Sequence, residues 1–195
     1  MYIGIAGYTG SGKSLCSQIL CARKCEIIDG DREGKFIMQN DPDIRKDLIE
    51  SFGSGSVCDD QVQFHFISSL VFRESEKLKT LNSIVHPKLI AHLKKRLLCS
   101  EMEMRILDAA LIPMWKIENW FDMLLWIDAP FDTRLERLKK KHPDKSETEL
   151  KQRMIIQQNL FSAPDDPRWT RVENQEGIEK LRSSLAGIVS VLGSK

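Results

Sequence analysis

Apolar and polar positions alternate between two periods along this chain, and the switches between them outline its elements. Tyr2-Ile3-Gly4-Ile5-Ala6 is an unbroken apolar run of strand length ended by glycine, which predicts a strand buried on both faces. Leu15, Ile19 and Leu20 then recur at helical spacing and predict a first helix to about Ala22. Glu26-Ile27-Ile28 predicts a second strand, closed by Asp29-Gly30-Asp31. From about residue 32 to 100 the pattern is mostly helical, with breaks at Asp41-Pro42, Phe52-Gly53-Ser54-Gly55 and His86-Pro87. Phe64, Phe66 and Phe72 read as the core face of a helix in this stretch, the alternative being a pocket lining.

Arg105-Ile106-Leu107 predicts a strand ending at Asp108, and Met123-Leu124-Leu125-Trp126-Ile127 predicts one ending at Asp128-Ala129-Pro130. A helix follows from Phe131 to about Lys140, then a polar stretch around His142-Pro143-Asp144. The next helix runs from about Ser146 to Phe161, with Ser146 as N-cap and Glu147 and Glu149 in the first turn. Trp169-Thr170-Arg171-Val172 predicts a last strand, and Ile178 to Leu192 a closing helix. Strands that alternate with helices imply a parallel sheet covered on both faces, an α/β architecture. Such sheets bind ligands beyond the carboxyl ends of their strands. Gly7, Asp29, Asp108 and Asp128 each follow a predicted strand, so four strand ends point to one crevice.

Composition narrows the class. At 195 residues the chain holds one α/β domain with room for a small inserted subdomain. A formal net charge of +1 gives no reason to expect a nucleic-acid partner, and the run Lys139-Lys140-Lys141 reads as a solvated helix end. The five cysteines, Cys16, Cys21, Cys25, Cys58 and Cys99, lack C-x-x-C spacing, which predicts free thiols in a reducing compartment and no zinc site. The opening residues lack the pattern of a leader, and no apolar stretch approaches the roughly 20 residues that span a bilayer. A cytoplasmic location is the resulting expectation.

Chemistry concentrates at residues 7–14. Gly7, Gly12, Lys13 and Ser14 meet G-x-x-x-x-G-K-[ST], between a predicted strand and a predicted helix. Glycines at those positions let backbone N–H groups turn inward on phosphate oxygens at a helix N-terminus. Lysine reaches the β- and γ-phosphates, and the serine hydroxyl ligates Mg²⁺. A nucleoside triphosphate with Mg²⁺ is therefore the expected ligand, held by Gly10, Ser11, Gly12, Lys13, Ser14 and Leu15. The alternative is an ordinary glycine turn.

Asp29-x-Asp31 reads as a general base for an acceptor hydroxyl or a carboxylate holding a Mg²⁺-bound water, or else as a helix N-cap with a turn aspartate. Asp108 suits a Mg²⁺-bound water or a substrate hydroxyl, and Asp128 the loop that carries a base. Arg134, Arg137 and Arg153 flank the polar stretch and can furnish a cationic lid; the alternative is a solvated helical hairpin. Pro87 fits a first helical turn, with His86 bracing the junction.

The order of these motifs resembles dephospho-coenzyme A kinases over almost the whole chain. The resemblance rests on the loop at 7–14, Ile28-Asp29-Gly30-Asp31, Phe52-Gly53, Val71-Phe72 and Leu81-Asn82-Ser83-Ile84-Val85-His86-Pro87. It continues through Leu107-Asp108-Ala109-Ala110-Leu111, Trp126-Ile127-Asp128-Ala129-Pro130, Arg134-Leu135-Glu136-Arg137, and Arg153 followed by Gln157.

It implies a P-loop three-layer fold with a five-stranded parallel sheet, a helical acceptor-binding insertion and a small helical lid. The core would comprise about 1–31, 101–133 and 154–195, the acceptor region about 32–100 and the lid about 134–153. The implied reaction is ATP-dependent phosphorylation of the ribose 3′-hydroxyl of dephospho-coenzyme A, by a monomer or weak homo-oligomer. Asp31 would be the base, with Asp29, Lys35, His86 and Asp108 on the acceptor. Lys13 and Arg137 would act on the transferred group, and Arg137 and Arg153 would approach the ATP phosphates. The chain departs from the family pattern at Lys35, where arginine is usual, at Phe64 or His65, and near Met114. The usual Arg-Asp pair of the lid is also absent, with Lys140 and Lys141 nearby. A kinase for another nucleotide or nucleoside, and a degenerate ATP-binding regulatory protein, are the alternatives.

Overall fold

The computed structural model describes every residue except 22, 23, 73, 100 and 193–195, and every described side chain except those of 75 and 189–192. In chain order its first elements are β1 (Tyr2–Ala6), α1 (Lys13–Leu20), β2 (Cys25–Asp29), α2 (Gly30–Asn40), α3 (Pro42–Phe52), β3 (Val57–Cys58), β4 (Gln61–Val62), α4 (Phe64–Val71) and α5 (Ser75–Leu98). There follow β5 (Met104–Asp108), α6 (Ile112–Trp115), β6 (Met123–Asp128), α7 (Phe131–Lys141), α8 (Glu147–Leu160), β7 (Trp169–Glu173) and α9 (Ile178–Leu192). The expected ends of the first helix at Ala22 and of the helical stretch at 100 lie outside the described residues. The chain divides into two compact units, Met1–Asp29 with Ser100–Lys195, and Gly30–Cys99.

The first unit is built on a five-stranded parallel sheet in the order β2-β5-β1-β6-β7. Strands with helices on both faces have no polar side, which is why β1 and most of β6 read as continuous apolar runs. Ile3 lies in register with Ile106 and Met123, and Ile5 with Asp108 and Leu125. Ile3, Ile5, Ile106, Leu125 and Ile127 are fully buried, and on one face they join Cys16 and Leu20 of α1 to Leu181 and Leu185 of α9. α7 and α8 pair over a small core of their own, Leu135 and Leu138 against Leu150 and Met154. Ser146 caps α8 by accepting the Glu149 N–H at 3.2 Å.

The second unit is helical around α5, whose Val85, Leu89, Leu93 and Leu97 form a buried stripe at four-residue spacing. Asp41 caps α3 by accepting from the N–H groups of Asp43 and Ile44, both at 3.0 Å. Glu33, buried on α2, meets His92 of α5 at 2.6 Å.

Four expectations are corrected. The break at His86-Pro87 is absent, since α5 runs through both residues and Pro87 sits mid-helix instead of in a first turn. A proline there costs about 3 kcal/mol. Each buried valine or leucine of the stripe returns about 1.5–3 kcal/mol, so burial wins. Residues 57–62, inside the helical stretch, fold into an antiparallel pair, with Val57 opposite Val62. Among the phenylalanines Phe66 is exposed, and Ile67 and Val71 carry the buried face of α4. Cys21 and Cys25 are not free thiols but a disulfide. Cys21 ends α1, Cys25 opens β2, and the turn through Lys24 at φ +56° sets their Cα atoms 5.4 Å apart, within bonding reach.

Candidate active site

The loop after β1 is shaped by glycine. Gly7 (φ +148°) and Gly12 (φ +97°) hold conformations that a side chain disfavours. At Gly7 a Cβ would run into the Ile127 carbonyl, and at Gly12 into Asn174 Nδ2. Gly12 is the N-cap of α1 and brings no side chain to cap it, so the helix presents its first N–H groups to an incoming anion. Lys13 opens α1 and folds back to place Nζ 3.5 Å from the Tyr8 carbonyl.

Ser14 Oγ donates to Asp108 Oδ2 at 2.8 Å, joining the first turn of α1 to the end of β5. Asp108 is buried, and Asp29 is its register partner at the end of β2. The Cys16 thiol, two residues further on, is pushed up to about 12 by burial and secondarily by Asp108, and stays protonated.

A second group of residues grips the loop from outside. Arg137 of α7 sends Nη1 to the carbonyls of Gly10 (3.3 Å) and Ser11 (3.2 Å). Its Nη2 donates to the Asn174 carbonyl (2.8 Å) and Oδ1 (3.3 Å). Asn174, just beyond β7, donates from Nδ2 to the Ser11 carbonyl at 2.7 Å and from its N–H to the Asp128 carbonyl at 2.8 Å. The Thr9 N–H donates to Gln157 Oε1 of α8 at 2.6 Å. The Tyr8 hydroxyl donates to the Phe161 carbonyl at 3.2 Å. Its ring meets Trp126 edge-on at 5.1 Å and lies under the Arg134 guanidinium at 5.0 Å.

Gly10, Ser11, Gly12, Lys13, Ser14 and Leu15 thus form one loop and helix start, with Asp29 and Asp108 at neighbouring strand ends in the same unit. Arg137 spends its guanidinium on the outer carbonyls of the loop and on Asn174, where the sequence suggested a place among the phosphates. Arg153 on α8 is paired with Glu149 at 2.8 Å. Asp31 and Lys35 belong to the other unit, on the exposed face of α2. His86 on α5 is half-buried, and desolvation pushes its imidazole down to about 4, so it is neutral at pH 7. Phe64 and His65 open α4, and Met114 lies half-buried in α6.

Asn174 and the anchoring role of Gln157 were missed from sequence. The only signal for Asn174 was the one that marked Asp108 and Asp128, a polar residue closing a strand.

Among the described residues no three His, Cys, Asp or Glu side chains form a metal cluster. Magnesium in a phosphate site needs few protein ligands because water and substrate oxygens complete its octahedron. The Ser14 hydroxyl beside the Asp108 carboxylate is a hard-oxygen pair that fits this demand. No helix among the described residues is long and apolar enough to cross a membrane.

Residues 1–162 match the family model described as dephospho-CoA kinase. A dephospho-CoA kinase of Carboxydothermus hydrogenoformans is 27% identical over 194 residues, which cover 96% of this chain and 92% of the relative. The crystal structure of TT1252 from Thermus thermophilus superposes with a TM-score of 0.73 at 25% identity, covering 98% of this chain and 97% of that one. A dephospho-CoA kinase from Campylobacter jejuni shares the fold, with a TM-score of 0.66 at 17% identity over 99% of this chain and 97% of the other.

Proposed function

The chain belongs to the dephospho-CoA kinase family, whose reaction is the last step of coenzyme A synthesis, and from that premise we propose how its residues divide the work. ATP is the phosphoryl donor and dephospho-coenzyme A the acceptor. We assign the triphosphate to residues 10–15 and the proton of the ribose 3′-hydroxyl to Asp31. The observation that carries the assignment is the loop itself. Its glycine conformations bring an uncapped helix N-terminus, Lys13 and the Ser14–Asp108 pair together at the start of α1.

In the transfer, the 3′-oxygen forms a bond to the γ-phosphorus while the bond from that phosphorus to the β–γ bridging oxygen breaks. ADP leaves, and the hydroxyl proton passes to the Asp31 carboxylate. Lys13 carries positive charge to the β- and γ-oxygens as negative charge builds on them. Asp29, two residues before Asp31 in the chain, supports the base. Ser14 and Asp108 would hold Mg²⁺ and its water, and the ion when bound supplies further charge neutralisation at the phosphates.

The helical unit is assigned to the acceptor, with Lys35 offering charge and His86 a neutral imidazole. Lysine lacks the bidentate grip of arginine on phosphate, so the Lys35 contact is the looser kind. Residues 134–153 are assigned to the lid, where Arg153 would exchange Glu149 for a phosphate oxygen. Arg137 acts on ATP through the loop that it holds. We take the chain as a monomer or weak homo-oligomer, and its formal net charge of +1 gives no reason for a nucleic-acid partner. A cytoplasmic location is proposed on the family's reaction alone.

A coupled assay of ADP release tests the acceptor. Dephospho-coenzyme A should accelerate ATP consumption at least about tenfold more than adenosine, AMP or CMP, a margin of about 1.4 kcal/mol in transition-state binding. No stimulation above background in a protein shown separately to bind ATP would sink the reading. Asp31→Asn should abolish transfer with ATP affinity little changed, whereas full activity would remove Asp31 from the role of base.

A further inference from the structure

Asn174 has no place in the chemistry above, yet it is almost wholly buried, at 3% exposure, against the phosphate loop. It also lies beyond residue 162, where the family match ends. We propose that Asn174 is a positioning residue for ATP, which sets the direction of the Gly12 N–H by holding the Ser11 carbonyl and Arg137. The inference rests on the assignment of the loop to a triphosphate.

The Ser11 carbonyl and the Gly12 N–H belong to one planar trans peptide and point in opposite directions. Whatever fixes the carbonyl therefore aims the N–H. Asn174 Nδ2 fixes it at 2.7 Å, the shortest of the polar contacts between the loop carbonyls and residues 137 and 174. Arg137 Nη1 reaches the same oxygen at 3.2 Å, and Asn174 in turn orients Arg137 through its own carbonyl at 2.8 Å and Oδ1 at 3.3 Å. The Asn174 backbone is itself anchored to the Asp128 carbonyl at 2.8 Å, so the amide projects from the sheet and not from a loose turn.

Both ends of the side chain are thus occupied, Nδ2 by Ser11 and Oδ1 by Arg137. The space is fitted as well. A Cβ at residue 12 would occupy the place of Nδ2, so Asn174 and Gly12 are a matched pair, with glycine leaving the room that the amide fills. Donors aimed outward at the carbonyls leave the opposite edge of the peptide for the anion, which is the arrangement a phosphate nest needs.

Two variants separate orientation from bulk stability. Asn174→Ala removes the donor and the acceptor. Asn174→Asp keeps the volume and gains a charge pair with Arg137, which preserves packing, but sets an oxygen with no donor against the Ser11 carbonyl. Binding of ATP and of tripolyphosphate is measured by calorimetry on the full chain, alongside unfolding midpoints and steady-state kinetics with dephospho-coenzyme A.

Loss of one such hydrogen bond should weaken ATP and tripolyphosphate about tenfold in both variants, with KM for dephospho-coenzyme A within about twofold. Unchanged affinity in either variant, with only a lower unfolding midpoint in Asn174→Ala, would reduce Asn174 to a packing residue and overturn the proposal. Wild-type protein that binds no ATP would overturn the assignment of the loop and this inference with it. Wild-type protein that binds ATP but ignores dephospho-coenzyme A would overturn the acceptor alone and leave the inference standing on the affinities.

Discussion

Pro87 offers a direct measurement of how the helical unit is built. It lies exposed in the middle of α5 and has no N–H to give the Ser83 carbonyl four residues back. Alanine at this position restores that donor and removes the ring from the preceding turn. The propensity difference between proline and alanine inside a helix is about 3 kcal/mol. Two terms reduce it. Proline restricts the unfolded chain, worth about 0.4–1 kcal/mol that Pro87→Ala gives up. The native helix has already settled around the ring, with Val85 and Leu89 buried on either side, so only part of the remainder is recovered. The net expectation is a stabilisation of about 1–2 kcal/mol, of which the new hydrogen bond itself is about 1 kcal/mol. Urea unfolding followed by far-ultraviolet circular dichroism gives the total, and hydrogen exchange of the amides from Ser83 to Leu89 locates it. Neutral or lower stability in Pro87→Ala would refute a continuous α5 and restore the break that His86-Pro87 suggests in the sequence.

Two further outcomes test the buried groups. In native protein without reductant, an alkylating reagent should modify Cys58 and Cys99, spare Cys16, and reach Cys21 and Cys25 only after reduction, as intact mass would show; early labelling of Cys16 would contradict its burial and its raised pKa. For His86, the unfolded imidazole takes a proton below about 6.5 and the folded one only below about 4, so the unfolded state gains the extra proton between them. Stability should fall as pH drops through that window and level off beneath it. The difference in urea midpoint between wild type and His86→Gln should follow the same curve, and a flat difference would place the ring in solvent.

The sheet was readable because a strand buried on both faces leaves an apolar run that little else produces, as in Ile3 to Ala6 and Leu124 to Ile127. The loop at 7–14 stood out as a candidate phosphate site because the demands of such a site fall on neighbouring backbone positions, with glycine at 7 and 12 and the charged and hydroxyl side chains at 13 and 14. Signals of longer range failed. Pro87 carries a strong local preference, and only the tertiary burial of the stripe from Val85 to Leu97 overrides it. The pair at 57–62 is too short for a period-two pattern to register. Cys21 and Cys25 lie within one turn of sequence, and whether they bond depends on a backbone that changes direction at Lys24. Asn174 and Gln157 act on carbonyl and amide groups of the loop, which every sequence possesses, so nothing in the loop announces which distant side chains will hold it.

That dependence has a bearing on synthesis. The loop is complete in covalent terms by Ser14, but its carbonyls and amides are held by residues 126, 148 and 163 positions away. Contacts of such sequence separation form late, because the intervening chain must first be made and its loop entropy overcome. The loop is therefore made well before the residues that hold it, and takes its held shape only after them. A nascent chain halted before residue 174 would carry the whole motif without the side chain that holds the Ser11 carbonyl, so the held loop serves as a report that β7, at the edge of the sheet, has been laid down.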